Sequence, residues 1–188
     1  MTRRLALAVV PLVLLVAPLA ACAESARIPP PEPSATVEPL FASDEEALAA
    51  ATEAYEEYLA VSNAASANPT ETPSTLKDLV SDDYLDELQK SLRNLADQGL
   101  RTMGQSQISA AALQQYVELD STALVVLYVC LDVSRVQVID AQGQNLTPAD
   151  RDPTVDLEVT FVGVKDGTEA IIVDGSEVWA EGSVCESP

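Results

Sequence analysis

The sequence predicts an α+β domain in which N-terminal helices pack on a curved antiparallel sheet of about four to six strands. Two observations lead to this fold class. Between residues 43 and 99, apolar residues recur at three- and four-residue steps, the spacing of an amphipathic helix. After Gly99 the pattern changes to alternation with many β-branched residues, which is typical of strands. Because the helices precede the strands, we expect them to cover one face of the sheet.

The helical region carries start and stop signals for three helices. Ser43 and Glu46 predict a capping box for a first helix that runs to residue 68. Thr72-Pro73 predicts a short second helix to residue 80. Ser81 caps a third, longer helix, which Gly99 ends.

The strand region divides into five expected strands. These lie at about Leu100–Ser109, Leu113–Leu119, Thr122–Val133, Thr154–Lys165 and Thr168–Trp179. The third strand is apolar on both faces, with odd positions from Val125 to Val133 on one side and even positions from Leu124 to Cys130 on the other. We therefore expect it at the centre of the sheet. Residues 140–153 are polar and predict a loop.

A hairpin is expected between the last two strands. Asp166-Gly167 is a two-residue turn signal. Closing this turn pairs Phe161 with Ile172. Further along the same strands it pairs Val155 with Val178.

The N-terminus has the profile of an export signal. Met1–Arg4 is basic, and Leu5–Ala17 follows as thirteen uncharged residues. Thirteen helical residues reach about 20 Å, less than the roughly 30 Å of a bilayer core, so a permanent membrane span is the weaker interpretation. Leu19-Ala20-Ala21-Cys22 resembles the bacterial lipobox, which implies cleavage before Cys22 and acylation of its thiol. An ordinary secretory signal with a chance cysteine is the alternative.

This signal divides the chain into three parts. Residues 1–21 form the lipoprotein signal peptide, and residues 22–42 form a proline-rich tether that begins with lipidated Cys22. Residues 43–188 form the folded domain. The predicted location is the outer face of the cytoplasmic membrane, and lipid on Cys22 is the expected membrane contact.

Two cysteines remain once Cys22 carries lipid. In an oxidising compartment an even pair predicts a disulfide, here between Cys130 and Cys185. It would fasten the C-terminal tail to the strand around Cys130. A catalytic thiol is the competing interpretation, but the chain has no histidine to lower a thiol pKa.

Charge and composition exclude several classes of function. The absence of histidine removes the serine–histidine–acid triad and histidine-ligated metal sites. A net charge of −20 repels phosphate backbones, so we expect no nucleic-acid partner. Two acidic clusters begin helices, namely Asp44-Glu45-Glu46 and Asp82-Asp83 with Asp86 and Glu87. The helix dipole accounts for carboxylates there better than calcium binding does, and we predict no cofactor or metal.

Several strand and turn residues resemble those of a known group of proteins. They are Tyr128-Val129-Cys130-Leu131-Asp132-Val133-Ser134, Asp140-Ala141, Gly143, Pro148, Arg151, Val159, Phe161, Glu177, Trp179 and Cys185. In these positions the chain resembles actinobacterial cell-envelope lipoproteins with an NTF2-like or cystatin-like domain. The resemblance implies a cone in which helices and a curved sheet leave a pocket between them.

Possible pocket residues are Tyr55, Tyr58, Tyr128 and Trp179. An isomerase or dehydratase of this fold needs a pocket carboxylate that faces a tyrosine, and Asp132 is the nearest candidate. However, Tyr128 and Asp132 lie about 13 Å apart along one strand. The leading hypothesis is a non-enzymatic module that binds an envelope protein or another envelope component. A carrier of small apolar ligands comes second and an enzyme third.

Overall fold

The computed structural model of the chain describes residues 39–119, 122–164 and 170–186. The expected signal peptide, Cys22 and most of the tether lie outside the described residues, as does the Asp166-Gly167 turn. The elements in chain order are α1 (Asp44–Ala67), a 3₁₀ helix (Ser74–Asp78), α2 (Asp82–Asp97), β1 (Arg101–Met103), β2 (Gln107–Leu119), β3 (Thr122–Asp132), β4 (Gln137–Ile139), β5 (Thr154–Val164) and β6 (Ile171–Val178). Helices and antiparallel sheets confirm the α+β class. Within the described ranges, no helix has the length and apolar character that crossing a membrane requires.

The helix ends follow the predicted signals with two adjustments. The Ser43 hydroxyl accepts a hydrogen bond from the Glu46 N–H, but the Glu46 carboxylate accepts from the Ala42 N–H rather than from that of Ser43. The short helix is 3₁₀ and begins at Ser74, so Pro73 occupies the cap position instead of the first turn. Gly99 ends the region after α2 with φ +66°, a backbone conformation that costs glycine little.

The main sheet is a four-stranded antiparallel meander with the order β2-β3-β5-β6. β3 pairs with β2 on one side and with β5 on the other, which confirms its predicted central place. The described residues also form a two-stranded sheet from β1 and β4. The prediction of one strand from Leu100 to Ser109 was therefore wrong. The chain turns at Gly104, where φ is +91° and a β-carbon would overlap the Arg135 carbonyl.

The predicted pairing of the last two strands was also wrong. Phe161 pairs with Val173 instead of Ile172, and Val178 pairs with Leu157 instead of Val155. Compared with the expected register, the pairs next to the turn are shifted by one residue, and the pairs farther from the turn are shifted by two. The second residue comes from a β-bulge that leaves Asp174 unpaired, because such an insertion shifts all pairs beyond it.

The core lies between the helices and one face of the main sheet. Val125, Leu127 and Val129 of β3 point into it and are fully buried, as are Val159 and Phe161 of β5. We call this the inner face of the sheet and its opposite the outer face. The inner residues of β3 and β5 all have odd numbers, and the two strands pair without a shift. Because side chains alternate between the two faces of a sheet, the even-numbered residues of both strands point to the outer face.

The folded domain includes residues upstream of the predicted boundary at Ser43. Leu40 and Phe41 are 8% and 6% exposed and belong to the core. The Leu40 N–H donates to the Glu118 carboxylate at 2.8 Å, and the Phe41 N–H donates to the Tyr116 hydroxyl at 2.9 Å. The Phe41 ring also packs on that of Tyr116, 5.6 Å between centroids. The segment before α1 is thus fastened to the end of β2.

Candidate functional site

The structure separates the four expected pocket residues into two pairs on opposite faces of the sheet. Tyr55 and Tyr58 of α1 lie in the core, 2% and 5% exposed, with their rings stacked at 5.4 Å. Tyr55 also meets Phe161 of the inner face edge to face. Tyr128 and Trp179 lie on the outer face. The four side chains therefore do not line one common pocket.

The hydroxyls of the inner tyrosines bond to other neutral groups. The Tyr58 and Tyr84 hydroxyls are 3.2 Å apart, and the Tyr55 hydroxyl lies 3.3 Å from the Ser176 hydroxyl. Burial raises the pKa of Tyr55 and of Tyr84 far above the usual value, because the apolar surroundings disfavour the charged phenolate. Tyr55 and Tyr84 therefore remain protonated at neutral pH. The two hydroxyl contacts link α1 to α2 and to β6.

Asp132, the carboxylate considered for an enzyme, lies at the end of β3. It accepts a hydrogen bond from the Ser134 N–H at 2.8 Å. The hydrogen bonds from Ser134 lower the pKa of Asp132, whereas an acid catalyst needs a raised one. Asp132 thus stabilises the turn that leaves the strand.

An aromatic stack forms the centre of the outer face. The Tyr128 and Trp179 rings are nearly parallel, with 3.9 Å between centroids and 12° between planes. The backbone N–H of Trp179 donates a hydrogen bond to the backbone carbonyl of Asp156 at 2.9 Å, which continues the pairing of β5 and β6 by one residue. Gly182 approaches the indole so closely that a β-carbon there would overlap the six-membered ring. The backbone pairing with Asp156 and the close approach of Gly182 therefore fix the position of the Trp179 ring.

Residues 179–186, which we call the C-terminal strap, cross the outer face and are held by a disulfide. Cys185 is bonded to Cys130 of β3, with 4.9 Å between the α-carbons. This confirms the disulfide that the cysteine count predicts. Because β3 is central, the bridge anchors the strap to the middle of the sheet.

The Asp156 carboxylate of β5 provides a second anchor for the strap. It accepts hydrogen bonds from the Ser183 hydroxyl at 2.9 Å, the Val184 N–H at 2.6 Å and the Cys185 N–H at 3.0 Å. Partial burial raises the pKa of Asp156, but these three hydrogen bonds lower it by more, so the net pKa is below the usual value. Ionised Asp156 thus holds the strap at neutral pH.

A cleft of about 400 Å³ opens beside the aromatic stack. Its walls are Tyr128, Glu158, Glu177, Val178, Trp179, Ala180 and Glu181. Glu158 of β5 and Glu177 of β6 lie directly opposite each other in the strand register. Among the described residues, Glu158, Glu177 and Glu181 form no ion pair. The cleft therefore combines two half-buried aromatic rings with three carboxylates that form no ion pair with a cation of the described residues.

Metal binding is a separate question for such acidic residues. In the part of the chain that the structure describes, no three or more cysteine, aspartate or glutamate side chains are placed to hold a metal ion. Independently of metal binding, carboxylates and aromatic ring faces are both groups that attract organic cations.

Comparison with known proteins finds similarity of fold only. No family model matches the chain, and no curated protein does. The intermembrane space region of the chloroplast protein ARC6, known from a crystal structure, matches 71% of this chain and 96% of its own with a TM-score of 0.51 and 12% identity. A designed β-sheet protein solved by NMR matches 72% and 92% with a TM-score of 0.32 and 19% identity. The ARC6 likeness supports the α+β class and carries no function to this chain.

Proposed function

We propose that the protein is a lipoprotein on the outer face of the cytoplasmic membrane whose domain binds a component of the cell envelope without catalysing a reaction. The anchoring part rests on the basic Met1–Arg4, the short apolar run and the lipobox-like sequence that ends in Cys22. The proline-rich residues 22–39 would form the spacer between lipid and domain, since Leu40 and Phe41 already belong to the core.

The disulfide-held strap is the observation that carries this proposal. A bridge between Cys130 and Cys185 is stable in an oxidising compartment, as expected outside the cytoplasm. The same bridge holds Trp179 and its cleft in place on the outer face, the side of the sheet opposite the helical layer. A preformed concave surface with aromatic walls is typical of a binding site.

The finer fold assignment, an NTF2-like or cystatin-like cone, belongs to the same proposal. Its support is the packing of α1 on one face of an antiparallel meander. In this chain Tyr55, Leu76 and Phe161 occupy the layer where members of that fold can hold a ligand, and each is at most 2% exposed. That packing favours a binding module over the carrier and the isomerase or dehydratase.

Lipidation is tested by following maturation of the full-length protein in its host. Globomycin, or a Cys22→Ser substitution, should block cleavage and leave the precursor at its full mass. An Ala23→Ser variant, altered beside the lipobox, serves as the matched control and should mature and fractionate with membranes. Unchanged processing of Cys22→Ser, with release of the domain into the medium, would overturn the anchoring proposal.

The binding role is tested in intact cells with a photo-crosslinking amino acid. At Glu177 in the cleft it should yield a discrete adduct with an envelope component. The same amino acid placed at Glu57, which is exposed on α1, should yield no such adduct. Equal labelling from both positions, or none from either, would contradict a binding role for the outer face.

A further inference from the structure

We infer that the outer-face cleft recognises a basic segment of a partner protein and receives a lysine or arginine side chain between the Tyr128–Trp179 stack and the glutamates. This inference rests on the proposed binding function and names the chemistry of the partner. Three features of the cleft support it, namely its aromatic walls, its charge and its rigidity.

The aromatic walls provide the first contact. A cation over the face of tryptophan or tyrosine is attracted by the ring quadrupole, and tryptophan gives the strongest attraction. Trp179 and Tyr128 are both only partly buried, and both line the cleft. Arginine can also stack its planar guanidinium on such rings. Since stacking covers one face of each ring, the cation contacts the ring surface that remains open to the cleft, where the rings favour it over a neutral polar ligand.

The charge of the cleft is the second feature that supports the inference. Glutamates directly opposite each other on antiparallel strands repel, as Glu158 and Glu177 do here. The same cleft adds Glu181, and none of the three has a cationic partner among the described residues. A bound cation offsets this repulsion. The net charge of −20 also attracts a basic segment from a distance through long-range electrostatic attraction.

The rigidity of the cleft walls is the third feature that supports the inference. Trp179 follows directly on β6, and the strap beyond it is fixed by the Cys130–Cys185 disulfide and by Asp156. A preformed site loses little conformational entropy on binding, so a single side chain gains useful affinity there. The volume of about 400 Å³ suits an inserted side chain with its flanking backbone.

The experiment titrates the purified full-length protein with a synthetic pentapeptide, Ala-Arg-Ala-Arg-Ala amide. Trp179 is the only tryptophan of the chain, so its emission reports binding at the cleft directly. The matched ligand replaces both arginines with citrulline, which keeps the shape and removes the charge. The arginine peptide should shift the emission and bind at least tenfold more tightly than the citrulline peptide.

Variants with the same change in net charge separate the cleft from the general acidity of the chain. A Glu158→Gln, Glu177→Gln protein should bind the arginine peptide at least tenfold more weakly by calorimetry. A Glu53→Gln, Glu57→Gln protein, altered at exposed positions of α1, should bind within twofold of the unmodified protein. Trp179→Phe should keep most of the affinity that Trp179→Leu loses, since phenylalanine retains an aromatic face.

Three results would overturn the inference. One is equal weakening by the two double substitutions, which would indicate attraction by net charge alone. Another is spermidine binding as tightly as the peptide, which would assign the cleft to free amines. The third is no binding of the peptide by the unmodified protein. This third result leaves the proposed function standing if the crosslinker at Glu177 still captures an envelope component, so the two failures are distinguishable.

Discussion

Removal of the Cys130–Cys185 disulfide should lower the free energy of unfolding by about 4 kcal/mol. The bridge joins residues 55 apart in sequence. In the chain-entropy relation, opening a loop of this length returns about 14 cal/mol/K to the unfolded chain, which gives the 4 kcal/mol at 25 °C. For a domain of this size, each kcal/mol shifts the melting temperature by about 2–4 °C, so we expect a fall of roughly 8–16 °C.

Urea unfolding followed by circular dichroism measures this loss. The oxidised protein is compared with the same protein in dithiothreitol and with a Cys130→Ala, Cys185→Ala variant. Reduction removes the crosslink but keeps both sulfur atoms. The variant should lose somewhat more than reduction does, because Cys130 is only 2% exposed and alanine leaves a small void there.

The denaturant slope provides an internal check. Without the bridge the unfolded chain is less compact, so the slope should rise. Cys22→Ser is the control, since it removes a cysteine but leaves the Cys130–Cys185 bridge intact, and it should leave the unfolding free energy unchanged. A loss below about 1 kcal/mol on reduction would refute the argument that the bridge acts by restricting the unfolded chain.

Three further perturbations test the strap, the cleft and the segment before α1. The stabilisation from ionised Asp156 is present above about pH 4 and is lost as pH falls through its lowered folded pKa, so Trp179 emission should change on acidification. An Asp156→Asn variant should lack this transition. Glu158→Gln should raise the free energy of unfolding in urea by about 0.2–1 kcal/mol, because it relieves the cross-strand repulsion. Gly163→Ala should cost about 1–3 kcal/mol and expose the chain around Leu40 to protease, since the new methyl group overlaps the side chains of Leu40 and Ile171.

Matched controls accompany each of these. Asp152→Asn, at an exposed loop position, should leave the acid transition of the strap in place. Glu57→Gln on α1 should change stability less than Glu158→Gln does. Gly175→Ala meets open space in β6 and should cost little. A Gly175→Ala protein as unstable as Gly163→Ala would show that the loss does not come from the overlap at Gly163.

Local signals predicted the helix ends and the disulfide, because each depends on a few adjacent residues or on a simple count. Ser43, Ser81 and Gly99 act within one turn of the helix that they begin or end. The pairing of Cys130 with Cys185 needed no geometry, since only two cysteines remained after Cys22.

Strand register was harder to predict, and it concealed the candidate site. The expected hairpin places Glu158 opposite Gly175, whereas the bulge at Asp174 brings Glu177 opposite Glu158. One unpaired residue in a strand leaves no clear trace in the hydrophobic alternation. The acidic half of the cleft was therefore invisible in sequence, and Tyr128 and Trp179 were expected in a pocket shared with Tyr55 and Tyr58 instead of on the outer face.

Contacts between distant parts of the chain were also missed. Leu40 meets Glu118 across 78 residues, and no local pattern marks that carboxylate as the partner of a backbone N–H. Likewise β4 is only three residues long, too short for alternation to be distinguished from a loop. Pairs of this kind depend on the tertiary fold.

The docking of Leu40 determines how the domain would bear a mechanical load. Leu40 packs at Gly163, which pairs with Ala123 near one end of β3, and Tyr128 lies roughly 17 Å further along the same strand. Under the proposed anchoring and binding roles, a pulling force would thus enter the domain beside one end of β3 and leave it at the cleft, so the two points of load are separated along the strand direction and not across the sheet.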